Sequence, residues 1–146
     1  MNVNQRGTMQ DLPPKPEGLT PDRVRPGRLL SVVNQTRGSL LVKELFCALT
    51  PWSRARGLLA RAPLKPGQGL LLRPCRGVHT FFMKYTIDVI FLDRRGQVVA
   101  LRPELRPWRV TPIFGEAYCT LELEAGRAAA ARTEKGDLLW FEDARR

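Results

Sequence analysis

Short runs rich in leucine, valine and isoleucine, broken roughly every ten residues by glycine, proline or charged turn residues, dominate this chain from position 29 onward. Residues 29–34 and 39–46 are the first two runs. Gln35-Thr36-Arg37-Gly38 joins them, with a glycine where a hairpin needs a positive φ. Helical spacing has one clear start: Thr50 is placed to cap, Pro51 takes the first helical position, and Trp52, Ala55, Leu58 and Leu59 form an apolar stripe. A short helix over residues 50–61 is predicted, its stripe covering a sheet face. Runs at 69–73, 77–84, 87–92, 97–101, 118–124 and 137–142 read as further strands. Asp93-Arg94-Arg95-Gly96 and Lys135-Gly136 are turns, and the alanines after Gly126 form a small helix or turn. The pattern predicts a mainly β fold, a small sandwich or partly closed barrel of about eight short strands with one or two short helices.

Ahead of this region the pattern is lost. Pro13, Pro14, Pro16, Pro21 and Pro26 punctuate a stretch with few apolar residues and no period, so residues 1–27 read as a flexible, proline-rich basic arm and residues 28–146 as a single β-rich domain. A chain of 146 residues with 43% apolar types is large enough to bury a stable core without metal or disulfide staples. Cys47, Cys75 and Cys119 are odd in number, widely spaced and accompanied by a single histidine, which argues against a disulfide framework or a closed zinc site. No run approaches the length of a membrane span and no secretory leader is visible, so a cytoplasmic location is expected. The net charge of +10 belongs almost wholly to the domain, because acids nearly balance bases in the arm. Interspersed acids and the absence of like-charge blocks fit an arginine-rich solvated surface, and nucleic-acid binding through that surface is a second reading.

Particular residues carry a family resemblance. Arg56-Gly57-Leu58-Leu59-Ala60-Arg61, Gly69-Leu70-Leu71-Leu72, Phe82-Met83-Lys84, Ile87-Asp88-Val89-Ile90-Phe91-Leu92-Asp93 with Gly96, Leu121-Glu122-Leu123-Glu124-Ala125-Gly126 and Gly136-Asp137 follow in order at fitting spacing. Over about residues 30–142 the chain resembles the uncharacterised bacterial and archaeal family known as domain of unknown function 192. It is a variant with Pro74-Cys75 and His79-Thr80-Phe81 before the methionine, and with Phe82 where much of the family has tryptophan. The resemblance implies a mainly β, sandwich-like fold and no firm activity.

Cys75, His79 and Met83 include the soft ligand types that copper or zinc favour. On a strand over 77–84, however, a rise of about 3.4 Å per residue would set Cys75 and His79 about 13 Å apart, and His79 and Met83 as far again. No metal site and no cofactor are therefore assigned. Asp88 shares a strand face with Ile90 and Leu92; if that face is the core, its carboxyl needs Lys84, His79 or an arginine as partner, or else caps backbone near Tyr85-Thr86. Cys75, His79 and Asp88 also carry the groups of a thiol hydrolase, but no glycine elbow or cysteine signature surrounds Cys75, and no catalytic residue is assigned. Glu122 and Glu124 alternate with Leu121 and Leu123 as on a strand with one wet face. Trp52, Trp108 and Trp140 are spread over the chain; core and rim packing is the ordinary role of tryptophans at this density, and a groove lined by them with Arg106 and Arg109 would offer stacking and charge suited to single-stranded nucleic acid or a sugar.

The leading expectation is a non-catalytic binding or accessory module. Its ligand-binding candidates are His79, Met83, Lys84, Asp88 and Cys75, and its partner a small polar ligand or another protein. A basic nucleic-acid-binding domain and a thiol- or metal-dependent hydrolase are the alternatives.

Overall fold

The computed structural model describes residues 18–50, 54 and 63–144. Among these, seven strands build one curled, half-barrel sheet: β1 Leu30–Asn34, β2 Ser39–Ala48, β3 Gln68–Leu72, β4 Ile87–Leu92, β5 Val98–Leu105, β6 Cys119–Glu124 and β7 Leu139–Asp143, in the order β5-β4-β6-β3-β2-β1-β7. The mainly β expectation is met, in its partly closed barrel form. Gly38, at φ 65°, closes the β1–β2 hairpin by donating its N–H to Asn34 O at 2.8 Å. Strands β2 and β3 are parallel and every other pair is antiparallel. A parallel pair needs a crossover, and the helix predicted over 50–61 falls there. Apart from Thr50, whose carbonyl accepts the Arg54 N–H at 2.9 Å, and Arg54 itself, it lies outside the described residues.

The two ends of the sheet meet. Gln97 pairs with Leu138, and Val98 N–H donates to Asp137 O at 2.8 Å. Gly96 makes this seam possible: at φ 90°, it lies so close to the Leu139 carbonyl that any Cβ would collide with it. Beside the seam, the Asn34 side-chain amide donates to Asp137 and Thr133, and Arg37 pairs with Asp137 and Glu134.

Both faces of the sheet are apolar. The inner face packs Leu30, Val32, Ile90, Leu92, Leu121 and Phe141; the outer packs Leu70, Leu72, Met83, Ile87, Val89 and Phe91. Strand β4 is thus buried at every position. Residues 1–17, most of the predicted arm, lie outside the described residues. Residues 18–27, assigned to the arm by their prolines, lie against the sheet. Leu19 pairs with Phe141, Val24 is buried in the inner core, and the Arg73 guanidinium donates to Pro21 O and Val24 O at 2.6 and 2.7 Å.

Asp88 occupies the inner face and is fully buried. Opposite it the β4–β5 ladder has a bulge: Ile87 pairs with Leu105 and Val89 with Arg102, so Pro103 and Glu104 together face one residue. Proline has no N–H, and Glu104, at φ 51°, turns its own toward Asp88 Oδ1 at 2.8 Å. The same oxygen accepts the Gly126 N–H at 3.1 Å, and Oδ2 accepts that of Ala128 at 2.8 Å, at the start of helix α1, Arg127–Ala130. One carboxyl therefore ties the β5 bulge and the β6–α1 turn to β4. Replacing Asp88 by alanine strands buried amides, each costing about 1–3 kcal/mol. Urea denaturation of Asp88→Ala is expected to reveal a loss of about 3–5 kcal/mol.

Candidate functional site

Residues 77–84 do not form the strand their apolar pattern predicts. Residues 75–80 run extended against residues 108–118, which follow β5, and the two flanks of the β4–β5 hairpin make an irregular ribbon over the outer sheet face. Its rungs are Cys75 N–H to Tyr118 O, Phe114 N–H to Arg76 O, Thr111 N–H to Val78 O and Thr80 N–H to Arg109 O, at 2.8–3.1 Å. Only His79 and Val110 form a regular β-bridge. At Thr80 the chain turns back: Met83 N–H donates to Thr80 O at 3.2 Å, and Phe82 takes φ 65°. The even alternation of faces from Cys75 to Met83 stops there.

Thr80 holds the ribbon's tip together. It is fully buried; its hydroxyl donates to Arg106 O at 2.6 Å and accepts the Arg109 N–H at 2.9 Å, while its carbonyl accepts the Trp108 N–H at 3.0 Å. The rings around it face outward. His79 stacks on Phe81 at 5.0 Å, Phe81 lies 6.1 Å from Trp108, and Trp108 lies 4.7 Å from Phe82. Phe81, Phe82 and Trp108 are 39, 73 and 56% exposed. Phe82 and Trp108 both hold a positive φ, of 65° and 63°, a conformation bulky residues avoid and that costs of order 1 kcal/mol or more. Val110 and Ile113 extend the exposed apolar surface. Cations edge it: Arg76, Lys84, Arg106 and Arg109 are exposed and make no ion pair among the described residues. Arg94 and Arg102 lie over the rings of Tyr118 and Phe114 further along the ribbon.

The candidate residues are thereby separated. His79 and Lys84 are exposed at the ribbon's tip, Met83 is buried in the outer core, and Asp88 is enclosed on the opposite face with its oxygens accepting three backbone amides. Asp88 does cap backbone, but at Glu104, Gly126 and Ala128 and not at the Tyr85-Thr86 turn. Cys75 is half-buried against the outer core, its thiol donating to Gly77 O at 3.2 Å. His79 Nδ1 accepts the Phe81 N–H at 3.3 Å. Cys75, His79 and Asp88 thus each serve a different part of the fold, and among the described residues no group of three or more His, Cys, Asp and Glu side chains converges as metal ligands.

Glu122 departs from its expectation. The alternation in β6 is real, but the supposedly wet face carries Leu70 and Val89 as cross-strand neighbours, and Glu122 is only 6% exposed. Its Oε2 has no hydrogen-bond partner, and neither does the buried hydroxyl of Tyr85 nearby. Burial pushes the Glu122 carboxyl up to about 7. The Tyr85 phenol is raised by burial and, secondarily, by the Glu122 charge. A carboxyl raised on folding keeps its proton in the native state while the unfolded chain ionises, so stability falls as pH rises from about 4.5 to 7. Chemical denaturation of wild type against Glu122→Gln across pH 4.5–7.5 is expected to reveal this slope, up to roughly 3 kcal/mol, only in the wild type.

Comparison with other proteins returns a family without an assigned activity. The chain is 32% identical over 115 residues to a UPF0127 protein of Thermococcus sibiricus, covering 76% of this chain and 74% of that one. It is 32% identical over 114 residues to another UPF0127 protein, from Pyrococcus horikoshii, covering 75% and 98%. A crystal structure of a protein of unknown function from Novosphingobium aromaticivorans superimposes with a TM-score of 0.65 at 21% identity, covering 76% of this chain and 82% of that one, which places the fold. Residues 32–141 match the family DUF192, described as "Uncharacterized ACR". The chain belongs to that uncharacterised family.

Proposed function

We propose that the domain is a non-catalytic binding module whose recognition surface is the ribbon's tip, and that its partner is single-stranded nucleic acid. The observation carrying this reading is the set of outward-facing rings of His79, Phe81, Phe82 and Trp108, two of them on residues held at positive φ. Burial explains neither ring, and each backbone conformation carries a cost that folding alone does not reward. Strain of this kind persists where function uses it.

Chemistry selects the partner. Nucleobases stack on aromatic faces whatever their sequence, and the phosphates between them require cations alongside. Six cations flank this ribbon: Arg76, Lys84, Arg94, Arg102, Arg106 and Arg109; the nearby exposed acids are Glu104 and Glu116. A purely apolar peptide would leave these cations unused. The small polar ligand expected near His79, Met83, Lys84 and Asp88 finds only His79 and Lys84 at the surface.

Fluorescence anisotropy with a labelled twelve-nucleotide single strand is expected to detect binding that weakens with salt, at a log–log slope of about −2 to −3 for three or four phosphate contacts. Replacing both Phe82 and Trp108 by glycine removes the rings and the positive-φ strain together. The double variant is expected to be at least as stable as wild type yet to bind at least tenfold more weakly, given about 1–3 kcal/mol per stacked base. No binding at low salt, or binding unchanged in the double variant, overturns the proposal.

A further inference from the structure

At the end of the ribbon away from its tip, we infer that an arginine-lined cavity beside the β4–β5 turn binds a terminal phosphate group, a phosphate monoester. The cavity measures about 330 Å³. That is the small end of ligand sites, which run from about 300 to 1,000 Å³. Two turns form its walls. In one, the Gly96 N–H donates to Asp93 O at 3.1 Å; in the other, the Ala117 N–H donates to Phe114 O at 3.0 Å. The space between them is lined by Asp93, Arg94 and Arg95 of the first turn, Glu116 of the second, Tyr118, and Arg76, whose carbonyl accepts the Phe114 N–H.

The arginines of this cavity differ from most others in the domain. Elsewhere guanidiniums donate to protein oxygens: Arg37 to Asp137 and Glu134, Arg73 to the Pro21 and Val24 carbonyls, Arg127 to those of Leu40 and Leu41. Among the described residues, the side chains of Arg76, Arg94 and Arg95 donate to no protein acceptor, and all three meet at one cavity. Arg94 is nevertheless placed: its guanidinium lies 4.5 Å from the centroid of the Tyr118 ring, an arrangement that leaves its N–H edges open. The amides of Gly115 and Glu116, at the centre of their turn, likewise donate to no acceptor among the described residues. Neither acid of the lining pairs with these cations. Asp93 Oδ1 accepts the Arg95 and Gln97 amides, each at 2.9 Å, and Glu116 is exposed without an ion pair. Asp22, another acid that senses the Arg94 charge, takes the Thr20 hydroxyl as its main partner.

These donors select the ligand. A guanidinium only donates, and its planar fork matches two oxygens of an anion. A carboxylate offers two oxygens in one plane, which one fork satisfies. A phosphate monoester carries three terminal oxygens directed apart and about −1.5 to −2 charge at pH 7, so it can engage guanidiniums approaching from the ribbon and from the β4–β5 turn together. A diester has lost one of those oxygens and one charge. Glu116 opposes any anion here, so its removal should act in the opposite direction to removal of an arginine.

Isothermal titration of the full chain with methyl phosphate at pH 7.5 and low ionic strength tests this, with dimethyl phosphate and acetate as comparisons. Expected is saturable binding of methyl phosphate, about tenfold or more tighter than either comparison and about tenfold or more weaker in Arg94→Gln and in Arg76→Gln. Glu116→Gln is expected to bind it severalfold more tightly. Lys65→Gln removes one exposed charge ahead of β3, outside the cavity, and is expected to leave the affinity nearly unchanged. No saturable heat, acetate or dimethyl phosphate bound as tightly as methyl phosphate, or an equal loss in Lys65→Gln and Arg94→Gln overturns the inference. A second arm identifies where the phosphate comes from. A dodecanucleotide bearing a terminal phosphate that binds more tightly than its dephosphorylated form, with the gain lost in Arg94→Gln, assigns the group to a strand's end; equal binding of the two assigns it to a small phosphorylated molecule. Methyl phosphate is measured without any strand, so its result stands apart from the outcome at the ribbon's tip.

Discussion

One buried carboxyl fixes the geometry on which the rest of the domain is built. Asp88 accepts the amides of Glu104, Gly126 and Ala128 from inside the half-barrel, and so ties two segments, the β5 bulge and the β6–α1 turn, to the middle of the sheet. The Glu104 bond has the widest consequence. Without an acceptor for that freed amide, the two-residue bulge at Pro103 and Glu104 would leave a donor without a partner beside the buried Asp88, a cost of about 1–3 kcal/mol. With it, β5 ends in a fixed bend, and the chain leaves the sheet in the direction that brings residues 108–118 back along residues 75–80. The ribbon over the outer face is thus a consequence of how the inner face is satisfied.

The same ribbon explains the two surface features that differ most from ordinary packing. It packs Cys75, Val78 and Phe114 against the outer face of the sheet, the face on which Glu122 is a buried acid. At its far end it has no further sheet to cover, and there Phe81, Phe82 and Trp108 stand in solvent around Thr80. Apolar rings at a chain reversal normally turn inward; here two positive-φ residues and the hydrogen bonds of Thr80 hold them out. Among the described residues, the buried side-chain oxygens without a hydrogen-bond partner are those of Glu122 and Tyr85.

Much of the fold was legible in local pattern. Gly38 and Gly96 announce turns because the turns require the conformations glycine provides, and the β-branched runs mark strands because both sheet faces are apolar. Pro103 misled the reading of β5, which was expected to stop at 101 and continues to 105; on an edge strand with a bulge, a missing N–H interrupts little. The reading over 77–84 failed for a different reason. Its alternation is that of a strand, and nothing at Phe82 signals a left-handed residue, since the reversal depends on Thr80 bonding across to Arg106 and Arg109, residues distant in sequence. Glu122 was misread by the same kind of omission: Leu-Glu-Leu-Glu indicates one wet face only where nothing covers it. For Asp88 the sequence left open which face is buried and offered capping beside an ion pair, while its partners, 16 to 40 residues away, could be named only from the fold.

The central claim is that the ring cluster at the ribbon's tip is a recognition surface. The most direct measurement is a map of backbone amide and Trp108 indole N–H chemical shifts in the presence of an unlabelled single-stranded oligonucleotide. Perturbations concentrated at residues 79–82 and 106–110, with β1 and β7 undisturbed, are the expected result. Shifts confined to the opposite side of the sheet, or none at all at saturating oligonucleotide, would contradict it.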